Sequence, residues 1–138
     1  MFDDPQALEW EPLLASAWRS RDAAYAPYSR FRVGAALLTV TGEVVGGCNV
    51  ENAAYPLSLC AERGALSTAV AQGIRPGDLV AAVVVTEAET LTPPCGACRQ
   101  ALAEFAERLP VLLVNRRSRQ LHRLEDLLPH SFTGRNLQ

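Results

Sequence analysis

The 138-residue sequence predicts an α/β fold: a single domain over residues 1–138, built as three layers, α/β/α, around a mixed central sheet of about five strands. Three observations carry this. Apolar, β-branched runs of strand length, "LVAAVVVT" and "PVLLVN", alternate with alanine-rich helical segments, which places helices on the faces of a central sheet. Two earlier runs, "FRVGAALLTV" and "EVVGGCNV", are separated by Thr41-Gly42 and read as a hairpin. The length fits one domain with a real core, and no linker, repeat or low-complexity tract divides it.

In chain order, residues 12–25 place Leu13, Leu14, Ala17, Trp18 and Tyr25 at roughly helical spacing, giving one buried face. Pro12 suits the first turn of that helix rather than its interior. "APYSRF" is a turn-rich connection to the hairpin. The loop "ENAAYPLS" then leads to an alanine-rich helix from about Cys60 to Gln72, ended by Gly73 and the Pro76-Gly77 pair. "LVAAVVVT" is a buried strand. "CGACRQALAEFAERL" is a second alanine-rich helix, and "PVLLVN" another buried strand. "RRSRQLHR" holds an edge strand, and "LEDLLP" a short helical turn.

Composition narrows the function classes. The chain is 49% hydrophobic and 20% charged, as globular proteins are. A net charge of −2 argues against a polynucleotide partner, which demands a basic face. No apolar run reaches bilayer length, so no membrane partner is expected. The acidic N-terminus "MFDDPQALEWEP" lacks the layout of a secretory signal, and the expected compartment is the cytoplasm. There, four cysteines point to metal or redox chemistry before disulfides.

Cys95 and Cys98 form a C-x-x-C pair where a helix begins, with Pro94 and Gly96 shaping a sharp entry. Cys60 holds the corresponding place on the other alanine-rich helix. Helix N-termini favour thiolates, because unpaired N–H groups and the macrodipole stabilise negative charge. Two such starts aimed at one point supply three thiolates. A structural zinc site is closed by four protein ligands, whereas a catalytic one keeps a position open. His122 and His130 lack ligand-like spacing, and Cys48, near a strand end, reads as a small structural residue. Glu62, two residues after Cys60, does not stack in line with it on a helix and is free to exchange protons at the open position. Arg63 and Arg99, each beside a proposed ligand or catalytic residue, are available to offset the charge of three thiolates, with Arg63 expected to donate to sulfur. Other readings stay open from spacing alone: a non-catalytic zinc-stabilised binding module, and a redox dithiol, which leaves Cys60 and Glu62 without a task. In "NVEN", an extended backbone puts Asn49 and Glu51 on one face and Val50 on the other, a sensible grip for ribose hydroxyls or simply a polar strand end.

The C-x-E…P-C-x-x-C pairing resembles the H-x-E…P-C-x-x-C signature of zinc deaminases, with Cys in place of His. "YSRFRVGAALL", "GCNVENAAYPLSLCAERGAL", "PPCGACRQAL" and "LEDLLPHSF" together resemble the small homotetrameric cytidine deaminases over nearly the whole chain. The segment "NVENAAY" separates that family from deaminases that act on antibiotic nucleosides. The resemblance implies hydrolytic deamination of cytidine and 2′-deoxycytidine in pyrimidine salvage, with Zn²⁺ held by Cys60, Cys95 and Cys98. It implies that Glu62 takes a proton from the attacking water and passes protons to ring N3 and the departing amine. It further implies that Asn49 and Glu51 hold the sugar, that the segment through Val50, Asn52, Ala54 and Tyr55 lines the pocket, and that Phe31 packs on the pyrimidine. The resemblance implies too that the Ala61 N–H meets the ring carbonyl, and that Ala54, Tyr55 and Phe132 contribute across contacts in a homotetramer. The family usually has Ser where this chain has Pro93, which puts a hydroxyl at that point of the pocket in question.

Overall fold

The structure, a computed structural model, describes residues 4–138; residues 1–3, included in the domain boundary and the N-terminal reading above, lie outside the described residues. Four helices and five strands follow the predicted order: α1 (Glu11–Asp22), β1 (Gly34–Thr39), β2 (Val44–Cys48), α2 (Ala61–Ala71), β3 (Leu79–Val85), α3 (Gly96–Ala103), β4 (Pro110–Val114), β5 (Arg119–Arg123) and α4 (Leu124–Leu127). The sheet order is β2-β1-β3-β4-β5. It is mixed, because β3 and β4 run parallel while the other neighbours are antiparallel.

Period-two alternation in the central strands builds the three layers. Ala81, Val83 and Val85 of β3, with Leu112 and Val114 of β4, face Leu13, Leu14 and Ala17 of α1. Ala82, Val84, Val111 and Leu113 face the opposite way, onto Ala65, Leu66 and Ala69 of α2 and Leu102 of α3. Strands covered on both sides read as continuous apolar runs, which is why "LVAAVVV" and "PVLLV" carry no polar alternation. β5, "RQLHR", is polar and more exposed, as an edge strand with a solvated rim requires.

Pro12 sits in the first turn of α1, where its missing N–H costs nothing. The helix stops at Asp22, so Tyr25 leaves the predicted buried face and is 57% exposed. Its backbone pairs instead with the segment after β2: Tyr25 N–H donates to Asn49 O at 3.0 Å, and Glu51 N–H to Tyr25 O at 2.8 Å. The hairpin turns at Gly42, whose φ of +89° suits glycine. Gly47 of β2 faces α2 so closely that a Cβ there would collide with Ala61 O and the Ala65 backbone. α3 is shorter than its composition predicts. Alanine-rich propensity favours helix through Leu109, yet Phe105 N–H and Ala106 N–H both turn back to Leu102 O, at 3.0 Å each. The chain must reverse there to begin β4 at Pro110, and a residue preceding proline is disfavoured in helix.

Cys48 and Val85 both pair with Gly34, so the start of β1 and the ends of β2 and β3 lie at one end of the strands. α2 and α3, which follow β2 and β3 in the chain, begin beyond that end.

Candidate metal centre and active site

Cys60 is the N-cap of α2 and Cys95 the N-cap of α3, both with extended backbone, and Cys98 lies in the first turns of α3. Their sulfurs all lie within 4.8 Å of one another, and Cys60 Sγ and Cys95 Sγ are 3.8 Å apart. A tetrahedral zinc with Zn–S bonds of about 2.3 Å needs an S···S edge of about 3.8 Å, so this pair already has the required spacing. Three thiols and no carboxylate suit zinc rather than calcium or magnesium. Among the described residues, no fourth Cys, His, Asp or Glu atom joins the group. Cys48 stays a half-buried free thiol at the end of β2, and the His122 ring bonds Gln120 on the edge strand.

The arginines that follow the cysteines behave differently. Arg63 Nη2 donates to Cys60 Sγ at 3.4 Å, as expected. Hydrogen bonds to Cys60 first, and to Cys98 next, hold its guanidinium more firmly protonated than usual. Arg99 was expected to help offset thiolate charge too, but its guanidinium turns to carbonyls. Its Nε donates to Pro94 O at 2.7 Å and its Nη1 to Leu127 O at 2.6 Å, tying the Pro94-Cys95 turn to α4. The geometric reason is offset: Arg63 is three residues from its cap cysteine, whereas Arg99 is four residues from Cys95 and leans over the preceding turn.

Glu62 is 5% exposed, unusual for a first-turn carboxylate. Burial pushes its carboxyl above the ordinary range, only partly offset by a backbone N–H and the charge of Arg63. Burial also pushes the Cys98 thiol up, with the Glu62 charge adding to it. The Cys95 thiol moves down: burial opposes this, but hydrogen bonds from the Cys98 N–H, the Cys98 and Cys60 thiols and the Ala97 N–H outweigh it. Proton affinity is thus raised at the one acid beside the sulfurs.

A cavity of about 340 Å³ opens at this point, and Phe31, Asn49, Glu51, Cys60, Ala61, Glu62 and Cys95 all line it. Two segments nine residues apart meet beside it: Val50 N–H donates to Leu59 O at 2.9 Å and Leu59 N–H to Val50 O at 2.8 Å. That pairing makes residues 49–51 extended, so Asn49 and Glu51 face the cavity while Val50 turns away and is 45% exposed. Asn49 also clasps the 31–33 segment leading into β1: its Oδ1 accepts from Val33 N–H and its Nδ2 donates to Phe31 O, both at 2.8 Å. The Glu51 carboxylate accepts from Tyr28 N–H at 2.9 Å, from Ser29 N–H at 3.1 Å and from the Ser29 hydroxyl. The hydroxyl bond is the largest influence holding it below the usual carboxylate range.

Not every expected residue converges. Asn52 caps its own turn, its Oδ1 accepting from Ala54 N–H at 2.8 Å, and with Tyr55 lines an adjoining hollow. Ala54 lies outside the cavity, Tyr55 is 71% exposed, and Phe132 lies by the end of α3, where Gln100 Nε2 donates to Phe132 O at 2.8 Å. Conversely, Ser29, Ser58 and Thr92 line the cavity without having been picked out from the sequence. Thr92, next to Pro93, carries a hydroxyl at that wall, bonded to Thr86 Oγ1 at 3.1 Å. Only the placement of Ser29 in "YSRF" beside Phe31 offered a signal for any of them.

A three-layer α/β/α domain that presents three thiols and a buried carboxyl at two helix starts belongs to the class of zinc-dependent deaminases. The cytidine and deoxycytidylate deaminase zinc-binding region matches residues 9–113. Over 132 residues the chain is 42% identical to the cytidine deaminase of Sporosarcina psychrophila, covering 94% of this chain and 96% of that one. It is 42% identical over 125 residues to the cytidine deaminase of Mycobacterium tuberculosis strain H37Rv, covering 91% and 90%. The crystal structure of cytidine deaminase from Burkholderia pseudomallei aligns with a TM-score of 0.87 and 47% identity, over 91% of this chain and all of that one. The chain belongs to the cytidine deaminase family of zinc-binding hydrolases.

Proposed function

We propose that this protein hydrolyses the C4 amino group of cytidine and of 2′-deoxycytidine, releasing ammonia and the uracil nucleoside. The observation that carries the reading is the buried Glu62, which shares one cavity with Cys60, Cys95, Phe31, Asn49 and Glu51.

Cys60, Cys95 and Cys98 would hold zinc. When bound there, zinc supplies Lewis acidity toward an attacking water. Glu62 accepts the proton of that water and delivers protons to ring N3 and to the leaving amine; a carboxyl with raised proton affinity suits both halves of the task. Arg63 offsets the excess negative charge of three thiolates. A charged hydrogen bond contributes about 1.5–3 kcal/mol and a helix terminus about 0.3–1, so the guanidinium is the larger influence. Phe31 packs on the pyrimidine, and the Ala61 N–H, at the first position of α2 without an intrahelical acceptor, meets the ring carbonyl. Asn49 and Glu51 take the ribose hydroxyls with the hydrogen-bonding capacity their loop contacts leave free.

Ala54, Tyr55 and Phe132 act at contacts between copies of the chain in a homotetramer. Supporting this, Tyr25, Tyr28, Val50, Tyr55 and Leu57 are exposed apolar side chains, and Tyr28 and Tyr55, which line the adjoining hollow, pack edge to face at 6.1 Å. The reaction belongs to pyrimidine salvage in the cytoplasm, where three closely spaced thiols stay reduced. No helix among the described residues is long and apolar enough to cross a membrane.

The test is an ultraviolet assay with cytidine on wild type and Glu62→Ala, with zinc measured on both and the assembled mass determined by light scattering. Active wild type and inactive, zinc-loaded Glu62→Ala are expected. A zinc-loaded wild type that leaves the nucleoside spectrum unchanged would mark a binding module instead.

A further inference from the structure

We propose that Ser29 is a positioning residue for the sugar end of the substrate: its hydroxyl orients the Glu51 carboxylate and thereby selects which lone pair of that carboxylate meets ribose. This rests on the proposed contact between Glu51 and the sugar.

The argument is one of hydrogen-bond accounting. An ionised carboxylate only accepts, and its two oxygens offer about four lone-pair directions. Oε1 of Glu51 already accepts twice, from the Tyr28 and Ser29 N–H groups. Oε2 accepts once, from the Ser29 hydroxyl, and keeps one direction free. The single hydroxyl hydrogen of Ser29 has no competing use, because Ser29 Oγ is the acceptor in its other bond, from Phe31 N–H at 3.0 Å. One side chain therefore sits between the two residues proposed to grip opposite ends of a nucleoside, Glu51 at the sugar and Phe31 at the base. Ser29 itself lines the cavity. Without its hydroxyl, Oε2 gains a second free direction and the carboxylate can rotate about the pair of bonds at Oε1.

The consequence is selective for sugar hydroxyls. In the zinc-loaded enzyme, the ratio of kcat/KM for cytidine to that for 2′,3′-dideoxycytidine, which lacks both ring hydroxyls, should fall about ten-fold in Ser29→Ala, with the loss in the KM for cytidine. Ser29→Thr, which keeps a hydroxyl, should restore most of the ratio, and thermal melts of each variant check that it is folded. Equal losses on the two substrates, or an unchanged ratio in folded Ser29→Ala, would overturn the role of Ser29. Glu51→Gln separates this from the reading beneath it. A ratio lowered by Glu51→Gln but not by Ser29→Ala leaves the Glu51 contact standing and removes the Ser29 inference. A ratio unmoved by Glu51→Gln removes both.

Discussion

The starts of α2 and α3 look alike in sequence and do different work. Each helix is alanine-rich, capped by a cysteine and furnished with an arginine within one turn. At α2 the charged residues turn inward: Glu62 is buried beside the cavity and Arg63 reaches Cys60 Sγ. At α3 they turn away. Gly96 and Ala97 leave the cap open, and Arg99 spends its donors on Pro94 O and Leu127 O. Both starts bring sulfur to the centre, but the charged side chains beside them differ: those of α2 serve the chemistry, and Arg99 of α3 is a brace. Similar helix entries can thus be divided between reacting and bracing by the position of one arginine.

Substitutions can break or sharpen that contrast. The largest effect belongs to Glu62: Glu62→Ala should lower kcat by about 10²–10⁴-fold while zinc content stays at wild type, since proton transfer in the transition state is what it removes. Measurable turnover near wild type would erase the chemical role assigned to α2. Next is Arg99→Met. It strands two carbonyls and frees the Pro94-Cys95 turn from α4, so unfolding should become easier by about 2–4 kcal/mol, read from denaturant midpoints. The folded, zinc-loaded fraction should still turn over within a few-fold of wild type; a stable protein with poor turnover would mean that both arginines serve the chemistry. Arg63→Gln should show the reverse pattern, with turnover down about ten-fold, zinc retained and little change in the midpoint. The smallest change is expected at Cys48, half-buried and outside the sulfur group: Cys48→Ala should keep one zinc per chain and turnover within about two-fold.

How much of this was readable in advance follows the range of the interactions. The thiol trio, Glu62 and the three inner strands are written in short spacings and in apolar runs, and the structure puts them together as expected. The extended 49–51 segment was also legible, because alternation alone separates Asn49 and Glu51 from Val50. What was not legible depends on partners distant in the chain. Tyr25 lies within a plausible helical face, yet its backbone is claimed by Asn49 and Glu51. "AEFAERL" favours helix by propensity, and the need to enter β4 at Pro110 overrides it. Arg99 could not be told from Arg63 without knowing that Leu127 O waits twenty-eight residues downstream. Ser29 stands beside Phe31 in "YSRF", but its hold on Glu51 was hidden for the same reason, since that carboxylate is twenty-two residues away.

The close seat of Gly47 against Ala61 and Ala65 bears on any attempt to redesign the enzyme for bulkier nucleosides. With backbone against backbone, α2 cannot move closer to β2, and a side chain at position 47 would displace the helix start that carries Ala61 and Glu62. Enlargement is better sought at Thr92 and Pro93, which line the chamber from the loop before α3, where side chains can be changed without a helix axis moving.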